Sequence, residues 1–279
     1  MIDQLSITVL VDNRAGENGI GTEHGLSLWI EADGYKLLFD TGQSDLLFRN
    51  AKLLKIDPTS ADALVLSHGH YDHTGGLARL LEISPVMQVH CHPAVVVPRY
   101  SRKDDGSMKP VGISRASALT LMRNEKAIYW TAGPRYITDH IGITGVIPRK
   151  TAFEDTGGAF YSDPEGNCSD AIDDDIAIWI ETVKGIVVIV GCCHSGIINT
   201  ISRISAITDG TTLHGLVGGL HLVNAHEKRL EATIAALANY EWTFMMPCHC
   251  TDNNAMKRFR REFPERVEPG FAGKVHRTG

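Results

Sequence analysis

The chain predicts an α/β fold: two sheets, drawn from the two halves of the sequence, with helices on their outer sides. Three observations lead there. Short runs rich in β-branched and aliphatic residues recur in both halves, and segments of helical periodicity fall between them. Neither a fixed short repeat nor a low-complexity linker divides the 279 residues. With 43% hydrophobic and 22% charged residues the chain can bury one large core, so the reading is a single domain over residues 1–279, made of two similar halves.

The elements follow in order. Leu5 to Val11 is rich in β-branched residues, and Leu26 to Ala32 and Tyr35 to Asp40 flank the hairpin dipeptide Asp33-Gly34. A helix capped by Ser44 should carry Leu46, Leu47, Phe48, Leu53 and Leu54 on or near its buried side, and Asp57-Pro58 ends it. Ala63 to Leu66 is a short buried strand, Leu77 to Ile83 a helix, and Val86 to His90 another strand. Residues 99–126 turn polar and irregular, with Lys103-Asp104-Asp105-Gly106 at the tip and a short helix around Ala116 to Arg123. Residues 153–175 form a second irregular insertion, holding eight acids and no Lys or Arg. Ile176 to Thr182 and Ile186 to Val190 pair across Val183-Lys184-Gly185. Leu213 to Leu220 and Phe244 to Met246 are further strands, separated by a helix over Ala225 to Asn239.

Charge and cysteine usage narrow the function. A formal charge of −6 argues against a nucleic-acid partner, because such a chain repels phosphate backbones on average. The longest aliphatic run, Ile186 to Val190, is too short for a bilayer, and Met1 to Gln4 lacks the basic start of a secretory leader. Of the six cysteines, Cys192 and Cys193 are adjacent and Cys248 and Cys250 nearly so, which is no disulfide framework. A cytoplasmic protein with a small-molecule substrate is expected, and self-assembly stays open.

The chemistry concentrates in Ser67-His68-Gly69-His70-Tyr71-Asp72-His73, three histidines and an aspartate just past a strand. Neutral imidazole suits zinc and similar ions, and a carboxylate completes a hydrolytic donor set. In an extended segment His68 and His70 share a side and can grip one ion, while Asp72 and His73 face a second after the turn. Gly69 permits the sharp path, and Gly75-Gly76 allow close approach of the next helix. One loop cannot close two coordination shells. His194, His221 and His249 each follow a buried strand as well, and strand ends delivering polar groups to a common edge assemble a site.

The string from Ser67 to Gly76 resembles the signature of the metallo-β-lactamase superfamily, and Phe39-Asp40-Thr41-Gly42 matches its first motif. The resemblance runs from about Ile7 to His249. It implies a four-layer αββα sandwich, two mixed sheets flanked by helices, with two divalent metal ions on one edge. Zinc is the expected ion, with manganese or iron as other occupants. By this resemblance His68, His70 and His194 hold the first ion, and Asp72, His73 and His249 the second, with Asp40 supporting them from behind. Dinuclear members commonly place a bridging aspartate where this chain has His221. Imidazole does not bridge as a carboxylate does, so His221 is either a terminal ligand or a neighbour of the site. The strings Gly191-Cys192-Cys193-His194-Ser195-Gly196, Gly219-Leu220-His221-Leu222 and Glu23-His24-Gly25 resemble a subgroup of dihydropterin-methyl-ribofuranosylaminobenzene-phosphate synthases of the methanopterin pathway.

The resemblance implies a metal-dependent hydrolase, or a transferase, acting on a small phosphorylated or pterin-like metabolite. Two ions about 3.5–4 Å apart would activate water and polarise the bond under attack, or neutralise a diphosphate leaving group. Asp72 is the candidate to ligate and to orient the nucleophile. His24 is the candidate substrate contact or proton donor, with a surface role as its alternative. Lys257, Arg258, Arg260 and Arg261 read as a solvated helix face rather than a phosphate site. The acidic insertion is a lid, a subunit contact or a plain exposed loop, and both insertions are candidates for substrate choice. A rival class remains. Cys192, Cys193, Cys248 and Cys250 flank two candidate ligands, and thiolates favour iron as well as zinc, so an iron-binding or redox-active protein of the same fold is the alternative.

Overall fold

The computed structural model describes residues 1–16, 19–210, 212–223 and 225–278. The first half runs β1 (Leu5–Val11), β2 (Ser27–Ala32), β3 (Tyr35–Phe39), α1 (Leu46–Leu53), β4 (Ala63–Val65), α2 (Tyr71–Thr74), α3 (Leu77–Ile83), β5 (Gln88–Cys91), β6 (Tyr100–Arg102), β7 (Met108–Pro110), α4 (Arg115–Arg123) and β8 (Ile128–Trp130). The second runs β9 (Arg135–Thr138), β10 (Ile141–Ile143), β11 (Phe160–Tyr161), β12 (Ala177–Thr182), β13 (Gly185–Val190), α5 (Ile197–Ile207), β14 (Leu213–Gly218), α6 (Glu227–Leu237), β15 (Phe244–Pro247), α7 (Asn253–Glu262) and β16 (Val275–Thr278). Among the described residues no helix is long and apolar enough to cross a membrane.

Two mixed sheets pack face to face. One has the order β16-β1-β2-β3-β4-β5-β8 and the other β15-β14-β13-β12-β10-β9. Side-chain alternation builds the layers. In β13, Val187 and Ile189 point between the sheets, joining Ile7, Leu28, Ile30, Phe39, Val65 and Ile178. Ile186, Val188 and Val190 point the other way, under Ile197, Ile201, Leu230, Met256 and Phe259 of the helices α5, α6 and α7. On the far side, α1, α3 and α4 cover Leu10, Trp29, Leu38, Leu64 and Val89. Strands covered on both faces are apolar throughout, which is why these runs do not alternate in sequence.

Strand direction creates the functional edge. β3 and β4 are parallel, as are β13, β14 and β15. β1 runs antiparallel to β2, and β2 antiparallel to β3, so β1 points the same way as β3. Parallel neighbours end on one side of a sheet, and their C-terminal residues therefore gather there.

Several expectations are met locally and several are corrected. Asp33 and Gly34 both have positive φ (47° and 89°), as a two-residue hairpin turn between right-twisted strands requires. The helix α1 begins after Asp45 rather than Ser44, although the Ser44 hydroxyl still accepts a hydrogen bond from the Leu46 amide at 3.1 Å. Leu53 is exposed; Asn50 holds the inner position instead, donating to the Leu10 and Gly21 carbonyls at 2.8 and 2.9 Å. The 99–126 insertion is ordered, with β6 and β7 forming a hairpin about the charged tip and α4 following. β11 from the second insertion joins β6 in a small three-stranded sheet. Its acids are not a plain exposed loop: Glu154, Asp174 and Asp175 are buried. The first sheet is not built from the first half alone, since the C-terminal β16 forms its edge.

Candidate metal centre

All the candidate site residues meet at the C-terminal strand edge. His68 and His70 follow β4, with His68 Nε2 and His70 Nδ1 2.9 Å apart. The His194 ring, past β13, lies 4.9 Å from both of theirs, centroid to centroid. The His221 ring, past β14, is 4.2 Å from that of His194. Beside this group, Asp72 Oδ2 lies 3.2 Å from His24 Nε2, 3.3 Å from His249 Nε2 and 3.7 Å from His73 Nε2. His73 Nε2 and His249 Nε2 are themselves 3.2 Å apart.

His68, His73, His194 and His249 are held from behind so that the other ring nitrogen faces the centre. His73 Nδ1 donates to Asp40 Oδ2 at 2.6 Å. His68 Nδ1 sits 2.9 Å from the Ser67 hydroxyl, which donates to the same Asp40 oxygen at 2.6 Å. Asp40 Oδ1 accepts from the Ser67 amide at 2.7 Å, so one buried carboxylate orients two histidines. Asp40 therefore lies behind His68 and His73. His194 Nδ1 donates to the Thr156 carbonyl at 2.8 Å. His249 Nδ1 donates to Asn13 Oδ1 at 2.9 Å, and its amide donates to Asp12 at 2.6 Å. Asn13 Nδ2 donates to His24 Nδ1 at 3.2 Å, leaving His24 Nε2 to carry the proton toward Asp72.

The loop between the strands is tightly fitted. A side chain at Gly69 would lie 2.1 Å from the Val95 carbonyl oxygen and 2.5 Å from Arg99 Nη1. Buried Arg99 pairs with Asp170 at 2.7 Å and with Asp174 at 2.6 Å, and Asp174 Oδ2 accepts from the Gly69 amide at 2.7 Å. Burial raises the Asp174 carboxyl to about 7, with Arg99 and the Gly69 amide opposing that rise.

The electrostatics suit a cation. Burial holds His68 and His194 well below the ordinary histidine range and His70 at about 3, so these three are neutral and offer lone pairs. Burial also opposes charge on His73, but the Asp40 and Asp72 carboxylates raise it to about 9. Burial would raise Asp72, yet the His73 charge and hydrogen bonds from His24 and His249 hold it well below the usual carboxylate range. His70 Nε2, His194 Nε2 and His221 Nδ1 are buried without a hydrogen-bond partner. Unpaired buried nitrogens are costly, and a metal ion held here would supply the missing partner. The residues fit the divalent ions that the fold implies.

Two features escape the sequence reading, and a third is foreseen there only as a neighbour of candidate ligands. Asp12 and Asn13 orient His249 from the end of β1, a strand-then-polar signal like that of the histidines. Phe160 of β11 roofs the site, its ring 5.2 Å from His70 and 5.3 Å from His194. Cys192 is the third: its sulfur lies 3.2 Å from His73 Nε2 and within 4.8 Å of the facing atoms of His68, His194 and His249. By contrast, Lys257, Arg260 and Arg261 face outward on α7, and Arg258 pairs with Glu227, as a solvated helix face would. A cavity of about 480 Å³ opens over the cluster, lined by Asn13, Arg14, Tyr71, Lys109 and Phe160 among others.

The strand edge, the two imidazole groups and the buried Asp40 behind them define a metal-binding α/β sandwich. A profile of the metallo-beta-lactamase superfamily matches residues 20–166, and the chain belongs to that superfamily. It is 30% identical to 7,8-dihydropterin-6-methyl-4-(beta-D-ribofuranosyl)-aminobenzene-5′-phosphate synthase of Methanocaldococcus jannaschii, across 98% of this chain and 97% of the relative. The crystal structure of a metal-dependent hydrolase of the beta-lactamase superfamily superposes with a TM-score of 0.82 at 29% identity, over 98% of both chains. The metallo-beta-lactamase fold protein YhfI from Bacillus subtilis matches at a TM-score of 0.56 and 16% identity, over 99% of this chain and 100% of that one, a likeness of fold alone.

Proposed function

We propose that the chain is a metal-dependent hydrolase or transferase that uses a pair of divalent ions, zinc first among them, on a small phosphorylated or pterin-like metabolite. One observation carries the reading: imidazoles and a carboxylate from separate strand ends converge on one buried cluster under an open cavity, three of the imidazoles with an unpartnered nitrogen. His68, His70 and His194 would hold one ion, with His221 beside them, and Asp72, His73 and His249 the other. Such ions supply Lewis-acid polarisation and acidify water.

The rest falls to the chain. Asp72, hydrogen-bonded to His24, is positioned to orient a nucleophile, and His24 Nε2 can deliver a proton at the cavity mouth. The cationic Arg14 and Lys109 line the same cavity and would hold a phosphate. Tyr71 and Phe160 also line the cavity and would offer aromatic surface to a flat heterocycle. The synthase relative supports this choice, since its name joins a dihydropterin, an aminobenzene and a phosphate.

The test is a screen of phosphodiesters, thioesters, lactones and pterin diphosphates with zinc, manganese and iron forms. Turnover of one class that Asp72→Ala abolishes supports the reading. Turnover unchanged by Asp72→Ala contradicts it. The iron or redox alternative has one observation in its favour, the donor atoms of Cys192, His221 and Cys250 lying within 4.8 Å of one another. It predicts an iron-to-thiolate absorption band that bleaches reversibly with dithionite and disappears in Cys250→Ser.

A further inference from the structure

We infer that Cys192 is a metal ligand shared by both ion positions, its thiolate bridging the two groups of imidazoles. The inference rests on the two-ion reading above and adds a donor to it. Of the groups of potential donors found among the described residues, Cys192 belongs to three: one with His68 and His194, one with His73 and His249, and one with His221 and Cys250. The first two groups share no other residue. Their common atom is the Cys192 sulfur.

Distances agree with this role. With zinc-to-nitrogen bonds of about 2.0–2.1 Å and zinc-to-sulfur bonds of about 2.3 Å, tetrahedral ligand atoms lie about 3.3–3.6 Å apart. His73 Nε2 is 3.2 Å from the Cys192 sulfur and 3.2 Å from His249 Nε2. The second group is thus already near the spacing of a closed shell. The unpartnered, buried His194 Nε2 points to a cation in the first group as well.

The other donors are placed less well: Asp72 groups with His24 and His249 but not with His68 or His194. His221 has one unpartnered nitrogen, and a neutral imidazole offers one lone pair to one ion. Cys193 turns away, its sulfur 3.6 Å from the Thr200 hydroxyl in the packing beneath α5. The Cys250 sulfur groups only with Cys192 and His221, and with none of His68, His73, His194 and His249. A thiolate sulfur carries several lone pairs and can serve two ions at once. Binding would replace the Cys192 thiol proton, which leaves to solvent. The backbone carbonyl of Gly191 accepts from the Gly219 amide at 2.9 Å, fixing the turn that aims Cys192 inward.

Zinc-edge X-ray absorption on the wild-type protein tests this without any variant. A shared thiolate gives about one sulfur neighbour per zinc at about 2.3 Å. A sulfur held by one ion alone gives about half that, and no sulfur shell at all would exclude the ligand; either result overturns the inference. The cobalt-loaded protein adds a residue assignment. Its near-ultraviolet sulfur-to-cobalt band should vanish in Cys192→Ser and persist in Cys193→Ser and Cys250→Ser. A band that survives Cys192→Ser, or is lost in Cys250→Ser instead, overturns it. Two bound cobalt ions with no such band sink this inference alone, whereas no bound cobalt sinks the two-ion reading with it.

Discussion

Arg99 shows how a residue that is not itself a candidate ligand can hold the site's shape. Its guanidinium is buried against Asp170 and Asp174, and Asp174 in turn holds the Gly69 amide between His68 and His70. Removing one partner of a buried pair typically costs about 3–5 kcal/mol, because the other charge is stranded. Asp174 already sits near 7 and would take up a proton rather than stay charged, so Arg99→Met should fall at the low end, about 3 kcal/mol. Urea denaturation should also show that adding Asp174→Asn to Arg99→Met restores part of the loss. A double variant less stable than Arg99→Met would contradict this. His90 offers a pH test away from the cluster. It is buried, stacked on Tyr129 at 4.8 Å, with neither ring nitrogen hydrogen-bonded, and burial lowers it to about 4. Above about 6.5 it is neutral folded or unfolded. As pH falls from there toward 4 the unfolded chain takes up the proton first, so stability is lost across that window. In the metal-free protein, His90→Phe should flatten the decline of urea midpoint between pH 6.5 and 4. Parallel declines for the two proteins would refute it.

Among the elements, α5 depends on a cap from outside itself. Its first turn has no acid and its N-cap is Gly196, yet the Ile198 and Asn199 amides donate to the Glu154 carboxylate at 2.8 and 2.9 Å. Glu154→Ala should therefore cost about 1–2 kcal/mol, as loss of a helix N-cap does, while Glu165→Ala on the exposed part of the same insertion should be near neutral. Equal effects would show that the carboxylate does not cap. The sequence makes the long apolar strands and the hairpin at Asp33-Gly34 easy to read, but not α5 or the small sheet. The isoleucines at 197, 198, 201 and 204 have helical spacing but are β-branched, and β-branching favours strand. β6, β7 and β11 span two or three residues each, too short for alternation to register. Leu53 was misleading for a simpler reason: the inner position of α1 is polar, because Asn50 satisfies two backbone carbonyls there.

At the scale of the molecule, the parallel strands explain why a site spread over residues 12 to 249 was partly legible. Each histidine follows a buried strand, a local pattern that sequence exposes. The partners that orient them do not: Asp12 reaches His249 across 237 positions, and Thr156 reaches His194 across 38. Such pairings exist only once the two sheets have packed. Cys192 was visible as a neighbour of His194, but its place between the two groups depends on His73 and His249 arriving from other strands. On this reading these separate side chains surround two cations, and the metal content of the folded chain reports whether they do. Elemental analysis after zinc-replete expression should give about two ions per folded chain, falling by about one in His194→Ala and by about one in His249→Ala. Fewer than about half an ion in the wild-type chain, or a content that neither substitution changes, would contradict the account.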